Sequence, residues 1–258
     1  MLCDYTIATG ACAIAVPDQS AKLSPLPEDW SRALAIAAHP DDLEYGAASA
    51  IARWTSQGKK IGYLMITKGE AGIDSMHPEE TGRLRMHEEI SSARVVGVDS
   101  VEFLDYRDGV VEYGLPLRRD ISRAIRKFRP DVLISGNHEL TWVGDKLNMA
   151  DHRAVGIAVL DAARDADNRW IFPELLDEGY EPWHGTKCVF IASAPSITHY
   201  VDVTGFIDKG VQSLREHRVY IDNLPQSFDP DEFLHWGAAA IGELAGCDYA
   251  VGFGIIEL

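Results

Sequence analysis

Paired cysteines are missing from this chain. Its four, Cys3, Cys12, Cys188 and Cys247, form no CxxC pair, so a thiolate zinc knuckle is excluded and no disulfide framework is suggested. A reducing cytoplasm is the expected compartment. Basic side chains are also scarce. The 24 Lys and Arg face 40 Asp and Glu, a formal charge of −16, and a surface of that sign repels phosphate backbones and anionic headgroups. Nucleic acid and acidic membrane are therefore not expected partners. No run reaches the roughly 18 apolar residues of a membrane span. Residues 1–21 contain no Lys or Arg and carry Asp4, which is wrong for the positive start of a secretory signal. Pro17, Pro25 and Pro27 punctuate the opening stretch, so residues 1–32 are expected to form a poorly ordered leader arm, or an arm on a neighbour.

What is present is a repeated strand, loop and helix. The 258 residues suffice for a large α/β domain with a substantial core. Ala33 to Ala38 is a short apolar run that reads as a buried strand, and Leu43 to Gln57 has helical spacing before Gly58. Ile61 to Thr67, Val101 to Leu104 and Val132 to Gly136 read as further strands. Thr81 to Val96, Leu115 to Phe128 and Asp151 to Ala166 read as helices. Such alternation predicts an α/β fold, Rossmann-like, with a mostly parallel sheet and helices on both faces. Ligands then bind beyond the carboxyl ends of the strands. Later the rhythm changes: Lys187 to Ala192 and His199 to Val203 read as strands, and Thr204 to His217 and Asp231 to Leu244 as helices. An appended antiparallel edge is expected. With no repeat and no linker, residues 33–258 should be a single domain.

The chemistry concentrates at the first strand end, in His39-Pro40-Asp41-Asp42. An imidazole and a carboxylate there can both reach a metal above the sheet edge, and an adjacent carboxylate is free to take a proton from water. An isolated His at a strand end is usually structural, but two acids crowded against it at a ligand-binding edge are harder to explain that way. Asp151-His152 opens another helix after the fourth strand. The positive helix end keeps His152 neutral and able to coordinate. Asp151 reads either as a plain N-cap or as a partner that orients a site histidine. The two helix starts together offer two nitrogens and one oxygen, the three protein ligands of a hydrolytic zinc site. A dinucleotide site is excluded: no GxGxxG follows the first strand, and Asp41 and Asp42 would repel a pyrophosphate.

From about Leu34 onward the chain resembles the PIG-L/LmbE-like family of zinc-dependent de-N-acetylases. The resemblance rests on Ala38-His39-Pro40-Asp41-Asp42 and on Met149-Ala150-Asp151-His152, which stands where the family has HPDH. It implies His39, Asp42 and His152 as zinc ligands, with Fe2+ as another metal the set would accept, and Asp41 as general base. Thr67-Lys68-Gly69-Glu70, Arg85-x-x-Glu88 and Tyr106-Arg107-Asp108-Gly109 echo family segments that approach sugar hydroxyls. By resemblance Glu70, Arg85 and Asp108 contact substrate, although Arg85 and Glu88 also read as a plain helix pair. Met149 replaces a histidine thought to stabilise the oxyanion or protonate the amine, which a thioether does poorly. His138 or His199 is expected to substitute. The phrases at Asp151 to Gly156 and Asn168 to Leu175 resemble a subgroup acting on antibiotic glycosides.

The implied reaction is removal of acetyl from an N-acetylglucosamine-like moiety of a glycoconjugate or secondary metabolite. Zinc would bring the pKa of a water from 15.7 toward about 7, and Asp41 would take the proton. The implied partner is a small N-acetylated glycoside, and a homo-oligomer is compatible with the sequence. The loops at Asp105 to Gly114, Asn137 to Asn148 and Asp177 to Gly185 are expected to wall the pocket, with Trp142, Tyr113 and Trp183 placed to stack on a ligand or simply to pack. The rival readings are an amidase for a larger conjugate and a non-catalytic metal- or sugar-binding relative.

Overall fold

The computed structural model describes residues 22–142, 145–224 and 227–258. Cys3 and Cys12 lie outside them, and Cys188 and Cys247 are free thiols. Along the chain run β1 (Ser24–Pro25), β2 (Arg32–Ala37), α1 (Asp42–Gly46), α2 (Ala48–Ser56), β3 (Lys60–Met65), α3 (Pro78–Val95), β4 (Ser100–Phe103), α4 (Leu115–Phe128) and β5 (Val132–Ser135). Then come α5 (Ala150–Asp167), α6 (Glu174–Asp177), β6 (Cys188–Ala192), β7 (His199–Asp202), α7 (Ile207–Arg215), α8 (Arg218–Asp222), α9 (Pro230–Ala245) and β8 (Ala250–Glu257).

Among the described residues eight strands form one sheet in the order β1-β7-β8-β6-β5-β2-β3-β4. All neighbours are parallel except β8, which pairs antiparallel with both β6 and β7. The chain steps from β2 outward to β3 and β4, then returns to lay β5 on the other side of β2. That reversal is a topological switch point, where diverging loops open a crevice at the carboxyl edge. Side-chain alternation along β2 feeds both faces. Ala33, Ala35 and Ala37 pack with Ile51 and Trp54 of α2 and Ala93 of α3, while Leu34 and Ile36 pack with Ile121 of α4 and Val159 of α5. Full burial of each large apolar side chain contributes about 1.5–3 kcal/mol. Among the described residues no helix is long and apolar enough to cross a membrane.

Several expectations change. Of the arm expected over residues 1–32, only residues 22–32 are described. From Lys22 onward they are built into the fold: β1 pairs with β7, and Leu23, Leu26 and Trp30 are buried. The burial of three large apolar side chains outweighs the prolines of the opening stretch. Residues 1–21 lie outside the described residues. The helix expected over Leu43 to Gln57 divides at Ala47, whose φ of −141° is not helical, where Gly46 passes so close to Ser193 that a Cβ would collide with its hydroxyl. The helix expected over Thr204 to His217 ends at Arg215.

The orientation of α5 is fixed from its far end. Arg126 of α4 is buried there and donates to the carbonyls of Asp165, Ala166 and Asn168. These bonds satisfy carbonyls that the last helical turn leaves open. The amino end of α5 is thereby aimed at the switch point.

Candidate metal centre and active site

Four segments meet at the carboxyl edge between β2 and β5. His39, Asp41 and Asp42 leave β2, the 67–70 turn leaves β3, the 105–111 loop leaves β4, and His152 stands in the first turn of α5. His39 Nδ1 is 3.2 Å from His152 Nε2 and 3.6 Å from Asp42 Oδ2, and His152 Nε2 is 3.0 Å from Asp42 Oδ1. Two imidazole nitrogens and a carboxylate thus point at one small volume, each donor atom within 4.8 Å of the others. Two basic nitrogens this close repel unless a cation or a proton lies between them. The N2O donor set fits a divalent metal such as zinc. Both histidines have their second nitrogen engaged. His39 Nε2 lies 3.0 Å from Asp108 Oδ1 and 3.3 Å from Asp151 Oδ2, and His152 Nδ1 lies 3.0 Å from Asn148 Oδ1. Acceptors on the far nitrogen leave the near one free to coordinate.

The carboxylates around His39 shift its proton equilibrium. Burial alone would lower the His39 pKa, but the charge of Asp42 and the hydrogen bonds to Asp108, Asp151 and Asp42 raise it well above the ordinary value. Burial would likewise raise Asp42, yet the two histidines hold it well below the usual carboxylate range.

Asp41 occupies a different position. Its φ is 91°, a left-handed conformation that costs a non-glycine residue about 1–3 kcal/mol. Two neighbours hold it there. The Asp41 N–H donates to Glu89 Oε2 at 3.1 Å, and Arg85 Nη2 lies 3.1 Å from Asp41 Oδ2. Burial pushes the Asp41 carboxyl up to about 6, with Arg85 opposing and the charge of Asp42 adding to the rise. Such a carboxylate is a stronger base than an exposed one and still ionised at neutral pH. Arg85 is 3 % exposed; it also donates to Pro40 O and Gly69 O, and its guanidinium stacks on Tyr220 at 3.9 Å. A Cβ at Gly69, whose φ is 64°, would collide with that guanidinium.

Of the other expected residues, some stand around this core and some do not. Glu70 accepts from the N–H of Asp108 and of Lys68, and Asp108 accepts from the N–H of Ala71, so the two loops are latched together. The Trp142 ring meets the His152 ring edge-on at 5.5 Å. Asp151 is not the cap of α5, a position held by Met149; its carboxylate accepts from Gly109 N and Val111 N and faces His39. His138 packs beside α5 at Gly156, one turn beyond His152, and its Nδ1 is buried with no hydrogen-bond partner. His199 is not brought to the cluster. It opens β7, four strands from β2, about 19 Å away at about 4.8 Å per strand. The Asp177 to Gly185 loop is no wall either: it precedes β6, which runs parallel to β5, so it lies at the amino edge, where Trp183 Nε1 donates to Pro130 O.

Sequence reasoning missed Asn148 and Glu89. A coordinating histidine at a helix start needs an acceptor for its other nitrogen, and that requirement pointed to a polar residue one turn before His152. Nothing in the sequence signalled Glu89, which reaches Asp41 from 48 positions away.

A family profile described as PIG-L, GlcNAc-PI de-N-acetylase, matches residues 34–163, half of the chain and every member of the His39, Asp42 and His152 cluster. The chain belongs to this family. Diacetylchitobiose deacetylase of Thermococcus kodakarensis is 26% identical over 227 residues, 87% of this chain and 82% of that protein. The solved N,N'-diacetylchitobiose deacetylase from Pyrococcus horikoshii matches with a TM-score of 0.80 at 26% identity, over 88% of this chain and 84% of its own. A structure of teicoplanin deacetylase Orf2 matches with a TM-score of 0.61 over 88% of this chain and 99% of its own. At 12% identity that likeness is one of fold.

Proposed function

We propose that this PIG-L family member is a metal-dependent N-deacetylase that removes acetyl from an N-acetylglucosamine-like moiety of a glycoconjugate or secondary metabolite. The observation that carries the reading is the placement of Asp41, a buried base with a raised pKa, directly beside the converging donors of His39, Asp42 and His152. The deacetylases of chitobiose among its relatives supply the substrate class.

His39, Asp42 and His152 hold the metal, with zinc the expected ion. When bound, it supplies a Lewis acid that acidifies a water and polarises the acetamide carbonyl. The chain's own residues do the rest. Asp41 accepts the proton of the attacking water at its carboxylate and returns it to the departing amine, so acetate and a free amino sugar leave; general acid–base help of this kind contributes about 10²-fold or more. Arg85 keeps the carboxylate in place and ionised. Asp108 and Asp151 hold the tautomer of His39, and Asn148 that of His152. Trp142 and the two loops that Glu70 and Asp108 latch together border the cluster, and a sugar would meet them there.

The reading is tested by acetate release from N,N'-diacetylchitobiose and other N-acetylated glycosides, before and after removal of metal. It predicts acetate release that a chelator abolishes and zinc restores. Tight zinc without release from any N-acetylated glycoside would instead mark a non-catalytic relative.

A further inference from the structure

Beneath Asp41, on the face of the sheet opposite α4 and α5, lies a second group of ionisable side chains that the proposed reaction does not use. Glu44 of α1, Glu89 of α3 and His217, between α7 and α8, are 1 %, 0 % and 0 % exposed. His217 Nε2 is 3.6 Å from Glu44 Oε2 and 3.6 Å from Glu89 Oε2. One donor atom from each of the three lies within 4.8 Å of the others.

These groups are under-satisfied in a specific way. Ser92 Oγ donates to Glu44 Oε1 at 2.7 Å, and the Asp41 N–H donates to Glu89 Oε2. Glu44 Oε2, Glu89 Oε1 and both ring nitrogens of His217 have no hydrogen-bond partner among the described residues. The Tyr63 hydroxyl is also buried without one, and after burial itself the charges of Glu44 and Glu89 are what hold its pKa well above the ordinary value. Buried polar groups are almost always hydrogen-bonded, and buried charges are paired or coordinate a metal.

The spacing separates the two ways of satisfying them. At 3.6 Å the His217 contacts exceed the roughly 2.7–3.2 Å of a hydrogen bond. Ligands at about 2.0–2.2 Å from a tetrahedral ion stand about 3.3–3.6 Å apart. In the first cluster the donor separations are 3.0, 3.2 and 3.6 Å, the longest of them equal to the spacing here.

We propose that Glu44, Glu89 and His217 form a second metal site, closed and structural, for a divalent cation that accepts nitrogen and oxygen ligands, with the Tyr63 hydroxyl beside it. Zn2+ is the probe of choice, since closed sites suit four ligands. The site does not depend on the proposed deacetylation. It does bear on it: Glu89 receives the Asp41 N–H, so an ion bound there fixes the base in its left-handed conformation from below.

The test loads the full chain with Zn2+, removes loose ion by gel filtration in the presence of a weak chelator, and measures zinc by mass spectrometry. Wild type should hold about two zinc per chain, and His152→Ala and His217→Gln about one each, because each loses a different site. About one zinc in wild type and none in His152→Ala would overturn the second site and leave the proposed function standing; protons would then neutralise the cluster. About two in both wild type and His217→Gln would put the extra ion elsewhere and overturn it equally. If His217→Gln does not fold, Glu44→Gln takes its place, with about one zinc expected and about two overturning the site.

Discussion

A single nitrogen of Arg85, Nη2, holds both the Pro40 carbonyl, at 2.5 Å, and the Asp41 carboxylate, at 3.1 Å. Asp41 and the turn that carries it are therefore set by one buried cation. Asp41 must be ionised to accept a proton, and burial raises its pKa to about 6 while Arg85 opposes the rise. Turnover should accordingly increase through an acid limb near pH 6 and level off above it. Arg85→Met should move that limb to higher pH and lower kcat more than it raises KM. An unshifted limb in that variant would show that Arg85 does not act through Asp41.

A second pH effect lies in metal uptake. In the metal-free protein Asp42, Asp108 and Asp151 keep a proton on His39 at pH values where an ordinary histidine has lost it. Binding must expel that proton, so zinc affinity should fall about tenfold per pH unit below the His39 value. The same shift has a sign for stability. A raised folded pKa favours the metal-free fold fully below the unfolded value of about 6.5, and the benefit is lost as pH rises through the folded value. Isothermal titration across pH in two buffers checks the proton release. Affinity independent of pH would contradict it.

Asn148 is buried, donates to the carbonyls of Asn137 and Glu139, and accepts from His152 Nδ1. Asn148→Ala should weaken zinc binding by about 10–100-fold without removing a ligand. Asn148→Asp keeps the acceptor and should retain more of the affinity. Wild-type affinity in the alanine variant would show that His152 needs no such partner.

The strands and helices that place the site were readable because their signals are local. A short apolar run ending in His39-Pro40-Asp41-Asp42, and a helical pattern opening at Asp151-His152, each declare themselves over a short stretch of chain. What could not be read is what arrives from afar. β8, whose Gly252 and Gly254 dilute its strand pattern, completes the antiparallel edge through pairings with β6 and β7. The roles of Asp108 and Asp151 at His39 depend on contacts across 69 and 112 positions, and no periodicity reports such a distance. His199 misled for the same reason: its residue type suited the task, but the strand order carries it away.

In the proposed reaction Asp41 returns the proton to the amine, and Met149 offers no hydrogen-bond donor to assist it. His138 follows β5 and lies against α5, its buried Nδ1 without a hydrogen-bond partner among the described residues. If His138 assists the leaving group, His138→Ala should lower kcat by about 10² with metal content unchanged, since a donor and no metal ligand is lost. Met149→His in that background should restore part of the rate. Normal turnover in His138→Ala would leave the proton to Asp41 alone.

The central claim is the division of labour between Asp41 and the three donors beside it, and one paired measurement tests it: zinc content and acetate release from N,N'-diacetylchitobiose for wild type, His152→Ala and Asp41→Asn, all prepared alike. The account predicts that His152→Ala loses zinc from this centre and activity together. Asp41→Asn should retain its zinc and release acetate at a rate lower by about 10² or more. An Asp41→Asn enzyme that releases acetate at the wild-type rate, or a His152→Ala enzyme that keeps its full zinc, would contradict it.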